Sequence, residues 1–149
     1  MTTESTKHLL EEWLERSKQS QHAHRVAAKI FSHRNLYLGI ISVVLSTIVG
    51  TSVFASLSKQ VDVSIQILVG ILSMLAAVFS ALNTFLRYGE VSTKHAKAAA
   101  KYGSTCRLIE LQLANGYQTI TFEQLNTLRC NLDKLASESP TVPEKYRNK

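Results

Sequence analysis

Cysteine, proline and glycine are scarce in this chain, and their scarcity narrows the choice of fold. The 149 residues include two cysteines, two prolines and six glycines. Two cysteines are too few for a secreted domain held together by disulfides. Both prolines, Pro140 and Pro143, lie near the C-terminal end, so no proline breaks a helix before them. The composition therefore permits long helices over most of the chain.

Charge is missing from two long stretches. Residues 36–57 and residues 63–86 contain no Asp, Glu, Lys or Arg. A helix on the surface of a soluble protein needs a polar face, and neither stretch has one. Each is long enough to cross ~30 Å of hydrocarbon at ~1.5 Å per residue. We therefore expect two transmembrane helices. The less favoured alternative is a pair of core helices in a soluble protein, which a chain of this length could hardly enclose.

The link between the stretches, residues 58–62, is short and predicts an antiparallel hairpin with an external loop. Its only basic residue is Lys59, whereas basic residues flank the hairpin on both other sides. By the positive-inside rule, both termini should be cytoplasmic. The flanking cations can also contact anionic lipid headgroups. They are Arg16, Lys18, Arg25, Lys29, Arg34, Arg87, Lys94, Lys97 and Lys101.

The rest of the chain predicts cytoplasmic helices over residues 3–35, 87–114 and 121–138. Within 87–114 the weak point is Gly89. Thr121 and Gln124 have the spacing of a capping box, which marks the start of the last helix. Four leucines of that helix recur at intervals of 3, 4 and 3, which predicts a narrow apolar seam that packs on another helix. They are Leu125, Leu128, Leu132 and Leu135.

The predicted fold is an all-α membrane protein. A two-helix transmembrane hairpin carries long cytoplasmic helical extensions, and the C-terminal helix packs back on them. Residues 1–138 form a single domain. Residues 139–149, which begin beside Pro140, are expected to be a flexible tail.

A short motif occurs twice outside the apolar stretches. Both copies fit the pattern His-x-x-Ala-Ala-x-x-aromatic, and paired alanines let helices approach closely. Two interpretations stay open: helix packing, or coincidence in an alanine-rich context. The two copies are His24, Ala27, Ala28 and Phe31, and His95, Ala98, Ala99 and Tyr102.

Small and polar residues form a stripe on one face of each apolar stretch. Small residues let membrane helices approach each other closely, so helix packing alone can explain both stripes. The functional interpretation is that one stripe holds the hairpin together and the other lines a pore made by several copies. We expect hairpin packing from Gly39, Ser42, Ser46 and Gly50. We expect pore lining or packing from Gln66, Gly70, Ser73, Ala77, Ser80, Asn83 and Thr84.

Residue patterns for catalysis are missing. The chain has no Gly-rich phosphate loop and no Gly-x-Ser-x-Gly sequence, so we expect no enzyme and no cofactor. His22 and His24 are two positions apart and face different sides of a helix, which disfavours a metal site. Cys106 and Cys130 are expected to be buried thiols. The basic residues cluster beside the membrane, so no nucleic-acid partner is expected.

The chain resembles the SLATT family, whose members are small two-transmembrane effectors of bacterial conflict systems. The resemblance covers roughly residues 10–135. The first half contributes HAHRVAAKIF and LGIISVVLSTIVGTSVFA. The second half contributes ILSMLAAVFSALNTFLRYGE, KHAKAAAKY and a Leu-Ile-Glu-Leu helix.

The resemblance implies a membrane effector of a bacterial defence system. Such an effector would form homo-oligomers on activation and perforate or depolarise the inner membrane, which causes growth arrest or cell death. It also implies a separate sensor or nucleotide second-messenger synthase as a partner, because the chain shows no sensor domain of its own. The alternative is a membrane-anchored scaffold that recruits a cytoplasmic partner and conducts nothing.

Overall fold

The computed structural model describes residues 3–56, 62–116 and 120–146, and these residues form helices and no strand. The all-helical prediction is confirmed. So is the presence of two helices long and apolar enough to cross a membrane. The predicted external loop lies outside the described residues except for Asp62. The helices are α1 (Thr3–Ser56), α2 (Val63–Leu86), α3 (Tyr88–Ala114) and α4 (Phe122–Glu138), followed by a 3₁₀ helix at Glu144–Tyr146.

Side chains just before α2 and α4 cap the first backbone N–H groups of these helices. The Asp62 carboxylate accepts from the Ser64 N–H at 3.2 Å. At α4, the Gln124 N–H donates to Thr121 Oγ1 at 3.3 Å, and the Thr121 N–H donates to Gln124 Oε1 at 2.9 Å. The predicted capping box is therefore confirmed. Each such cap satisfies donors that a helix start leaves unpaired and stabilises it by ~1 kcal/mol.

The chain breaks its helix at Arg87 rather than at Gly89. Arg87 has φ 47° and ψ 36°, the left-handed conformation that ends α2. Its guanidinium pairs with the Glu90 carboxylate in the first turn of α3. Gly89 lies within a helix, where a Cβ atom would stand 3.3 Å from Asn35 Oδ1. The glycine thus permits a close approach of side chain to backbone, and the turn falls two residues earlier.

The chain divides into two compact units, which we call the first unit (residues 1–30 and 91–149) and the second unit (residues 31–90). In the first unit, α1 and α3 run antiparallel. Lys18 Nζ lies 2.9 Å from the Glu110 carboxylate. Further along, the Ser92 hydroxyl donates to the Ala28 carbonyl at 2.9 Å.

Helix α4 completes the core of the first unit. Leu125 and Leu128 form one buried cluster with Leu10 of α1 and Ile109 of α3. Leu135 is also buried, whereas Leu132 is half-buried and packs at the edge of the cluster. Full burial of each such side chain stabilises the fold by ~1.5–3 kcal/mol.

Residues 139–146 of the predicted flexible tail are among those that the structure describes. Glu144–Tyr146 forms one 3₁₀ turn, in which the Tyr146 N–H donates to the Pro143 carbonyl at 2.9 Å. Tyr146 itself is buried. Burial of a tyrosine ring removes a large apolar area from water, and the two prolines of this segment gave no sign of it.

We predict that Leu128→Asp destabilises the full chain by several kcal/mol, because it places a carboxylate in a site that is 3% exposed. Thermal unfolding in detergent measures the effect. Asn131→Asp, on the exposed face of the same helix, is the matched control and should melt near the parent temperature. Equal melting of the two variants would show that the leucine seam does not support the core.

Candidate functional site

Two histidines meet inside the first unit. His24 of α1 is 4% exposed and His95 of α3 is 2% exposed. Their Nδ1 atoms lie 2.9 Å apart, and the ring centroids are separated by 5.2 Å. At that distance one Nδ1 carries the hydrogen and donates, while the other accepts. The contact therefore requires at least one neutral imidazole.

Burial sets the charge state of this histidine pair. Desolvation lowers the pKa of His24, and the neighbouring His95 lowers it further. Desolvation also lowers the pKa of His95. Both effects act in the same direction, because an imidazolium is costly in a dry site and more costly beside a second one. Both effects favour the neutral form of the two imidazoles.

The residues around the pair allow the helices to come close. Tyr102 stacks on His24 with ring centroids 5.6 Å apart. Ala27, Ala98 and Ala99 are buried, which leaves room for the two imidazoles. Seven of the eight positions of the repeated motif therefore lie in the first unit. Phe31 does not: it belongs to the second unit, where its ring lies 5.8 Å from that of Tyr88.

The direct contact between His24 and His95 is a feature that the sequence interpretation missed. The repeated motif marked both residues as packing positions, without pairing them. The available signal was the antiparallel course of α1 and α3, which a hairpin imposes on its two flanking helices. Counting outward from the hairpin would have placed the histidines at about the same height.

Two cysteines of the first unit, Cys106 on α3 and Cys130 on α4, were predicted to be buried thiols. Cys106 is buried, and desolvation raises the pKa of its thiol above the ordinary value. Cys130 is exposed, so the expectation of a buried thiol there was wrong. It lies on the face of α4 opposite the leucine seam. Within the described residues, no group of three or more His, Cys, Asp or Glu could hold a metal ion.

In the second unit, the residues of the two stripes fall in different environments. Ser73 and Asn83 are half-buried, as are Gly39, Ser42 and Gly50 on α1. The most buried residue of α2 is Ala76, which the stripe did not include. It shares its face with Asn83. The exposed members are Ser46, Gln66, Gly70, Ala77, Ser80 and Thr84.

Polar atoms of the stripes are satisfied in two ways. The Ser73 hydroxyl donates to the Val69 carbonyl at 2.8 Å, and the Thr84 hydroxyl donates to the Ser80 carbonyl at 3.1 Å. Such bonds within one helix hide hydroxyls from an apolar medium. Ser42 Oγ and Asn83 Oδ1, by contrast, are buried with no hydrogen-bond partner. They remain available to a further polar group.

Serines from both apolar helices border one cavity of the second unit. It has a volume of about 410 Å³ and is lined by Ser42, Ser46 and Thr47 of α1, with Ser80 of α2. A second cavity, of about 340 Å³, is bordered by Asn35 and Asn83. Members of the two stripes thus share a polar surface.

A family model matches residues 7–138, which is most of the chain. Its description is "SMODS and SLOG-associating 2TM effector domain family 4". The chain belongs to the SLATT family. No curated protein and no solved structure matches it.

The SLATT assignment agrees with the two apolar helices, because the family is described as a two-transmembrane domain. The chain is therefore a membrane protein. SLATT proteins are described as effector domains rather than as an enzyme family, and their name associates them with SMODS and SLOG systems.

We predict that the SLATT domain loses stability as the pH falls below ~6.5. The pKa values of His24 and His95 are lower in the folded chain than the ordinary 6.5, so the unfolded chain binds more protons. The contribution of the two histidines to the free energy of unfolding is therefore largest above pH ~6.5. It decreases as the pH falls toward their pKa values in the folded chain. Thermal melting of the full chain between pH 5 and pH 8 measures this loss.

Two substitutions isolate the buried pair in that experiment. His24→Gln should cost ~1–3 kcal/mol at pH 8, because His95 loses a buried partner, and should flatten the pH dependence. His22→Gln, two residues away on an exposed position, should leave the parent profile unchanged. A parent-like slope in His24→Gln would refute the role of the pair.

Proposed function

We propose that this chain is a membrane effector that assembles into homo-oligomers on activation and perforates or depolarises the bacterial inner membrane. The observation that carries the proposal is the outward exposure of large apolar side chains on α1 and α2, in a chain whose family consists of two-transmembrane effectors. Growth arrest or cell death would follow from the loss of membrane potential.

The first step of the proposal is that both apolar helices lie in lipid. Val43 is 65% exposed on α1, and Met74 and Phe85 are 71% and 82% exposed on α2. Leaving such side chains in water is costly, and the described residues of the second unit leave them exposed. A bilayer or further copies of the chain would remove them from water.

The second step is an antiparallel hairpin. Phe31, at the start of the second unit, contacts Tyr88 at its end. Further into both helices, Asn35 and Asn83 border one cavity, and Ser42 and Ser80 border the next. Each of these contacts pairs an early residue of the 31–56 segment of α1 with a late residue of 63–90. Such pairing is expected of two antiparallel helices.

The third step is orientation. The Arg34 guanidinium lies 5.9 Å from the ring centroids of both Phe31 and Tyr88. A cation above aromatic rings is typical of a helix end at the headgroup level. Because basic residues flank this end of the hairpin, we place it, with both chain termini, on the cytoplasmic side.

The fourth step is assembly. One hairpin is too small to enclose a pore, so several copies are needed. Gly70, Ala77 and Ser80 lie on an exposed face of α2, where small side chains let a second helix approach. The unpartnered Asn83 Oδ1 would gain a donor from water or from a neighbouring copy. A hydroxyl-lined lumen conducts without a buried charge.

The trigger in this proposal comes from a separate protein of a SMODS or SLOG system, acting as sensor or nucleotide second-messenger synthase. The family name supports this association. The basic residues that flank the hairpin would hold the cytoplasmic helices against anionic lipid headgroups.

The orientation predicts a labelling pattern for single cysteines in a chain whose Cys106 and Cys130 are replaced by serine. Asp62→Cys should react with a membrane-impermeant maleimide added to spheroplasts, and Glu4→Cys should react only after lysis. The reason is the excess of cations around both chain ends. The opposite pattern would overturn the orientation, and labelling of both sites before lysis would overturn the hairpin.

If the polar stripe of α2 lines a pore, large apolar side chains placed on it should strongly reduce depolarisation. Ser80→Leu and Ser73→Leu should each lower the fraction of depolarised cells after induced expression by about tenfold, because leucine dries a narrow lumen. Val78→Leu adds the same side chain on a lipid-facing position and should behave as the parent. Potential-sensitive dye fluorescence gives the readout, with oligomer size measured in parallel.

Two outcomes of that experiment decide against conduction through the stripe. If Ser73→Leu and Ser80→Leu depolarise cells like the parent, the stripe serves packing alone. If the parent assembles and never depolarises cells, the chain is a non-conducting scaffold that recruits a cytoplasmic partner.

A further inference from the structure

A polar cavity lies in the first unit where α1, α3 and α4 meet. Its volume is about 230 Å³. The three helices contribute aromatic, hydroxyl, basic and acidic side chains to its wall. The six that matter for recognition are Trp13, Arg16, Ser17, Tyr102, Arg129 and Asp133.

Two aromatic rings border the cavity from neighbouring helices. Trp13 of α1 is half-buried and packs against the cluster around Leu10 with part of its surface. Tyr102 of α3 is 7% exposed and stacks on His24. Both rings are thus held in place by the core. Fixed aromatic rings at a cavity wall suit a flat, partly apolar ligand, because ring stacking loses little conformational freedom.

Two guanidinium groups, those of Arg16 and Arg129, also border this cavity. Arg16 of α1 pairs with Glu12 one turn away, and Arg129 of α4 pairs with Asp133 at 3.5 Å. Arg129 also donates to Asn126 Oδ1. A guanidinium has five N–H donors, so these partners leave capacity for an anion. With Asp133 also at the wall, the lining carries a net charge of +1.

The size of the cavity limits what it can hold. Its volume of about 230 Å³ is below the ~300–1,000 Å³ of sites for drug-sized ligands. One ring with one anionic substituent fits such a space, and a dinucleotide does not. The Ser17 and Ser20 positions on α1 add hydroxyl groups at the wall.

We propose that this cavity binds a small planar anion, meaning one aromatic or heteroaromatic ring that carries a phosphate or a carboxylate. The ring lies between Trp13 and Tyr102, and the anionic group is held by Arg16 and Arg129. Because the site draws on three helices, an occupied cavity ties α4 to α1 and α3. This inference concerns the first unit alone and does not depend on perforation of a membrane.

The chain carries its own reporter for the test, since Trp13 is the sole tryptophan. The full chain in detergent is titrated with phenyl phosphate and, separately, with benzoate, and emission is followed with excitation at 295 nm. Benzyl alcohol and inorganic phosphate serve as the ring without the anion and the anion without the ring. We expect at least one of the two ring anions to change Trp13 emission saturably and raise the melting temperature. Each fragment should bind at least tenfold more weakly.

Three variants connect that response to the cavity. Arg129→Gln should weaken binding by at least tenfold, because it removes a cation from the wall. Arg107→Gln, an exposed position of α3 outside the lining, is the matched control and should bind like the parent. Asp133→Asn should tighten binding, because it removes the one negative charge at the wall.

The titrations identify the chemical class of the ligand or overturn the proposal. Saturation by phenyl phosphate but not benzoate identifies a phosphorylated ligand, and the reverse identifies an aromatic acid. The proposal is overturned if neither ring anion changes Trp13 emission and melting at millimolar concentration. It is equally overturned if Arg129→Gln binds as tightly as Arg107→Gln, since the anion would then lie elsewhere. Depolarisation assays are not part of this test, so its failure leaves the membrane proposal standing.

Discussion

The structure depends above all on one constraint: two stretches without charge cannot present a polar face to water. Inside lipid, a helix satisfies all its backbone groups internally, and the structure is helical over residues 36–56 and 63–86. Their large side chains point outward, as Phe85 does with 82% of its surface exposed. In a soluble protein this pattern would cause aggregation. A two-transmembrane SLATT domain can present these side chains to lipid.

The first unit poses a different problem, which is how helices that carry many charged residues are held together. It combines a small apolar cluster around Leu10 and Ile109 with a buried polar contact between His24 and His95. Apolar burial supplies most of the free energy, and it is tolerant of small shifts in register. The histidine pair does not tolerate such shifts, because its hydrogen bond forms only when α1 and α3 are in one register. Polar pairing of this kind favours one alignment over its neighbours.

Local signals in the sequence could be predicted well, because they act over a few residues. The capping box at Thr121 depends on a spacing of three, and the apolar seam of α4 depends on helical periodicity. The break between α2 and α3 was placed less well. Gly89 looked like the weak point, yet Arg87 takes the left-handed conformation, since Gly89 is needed for the close approach of Asn35.

The sequence by itself determined the helical class, the two apolar helices and the family, since periodicity, missing charge and local motifs carry that information. Tertiary structure alone decided which residues meet. It joined His24 to His95 across 71 positions, exposed Cys130, and buried Ala76 and Tyr146. It also gathered Trp13, Tyr102 and Arg129 around one cavity. The physical reason is that contacts between distant segments depend on how helices rotate and slide against each other, and residue spacing along one helix does not encode that.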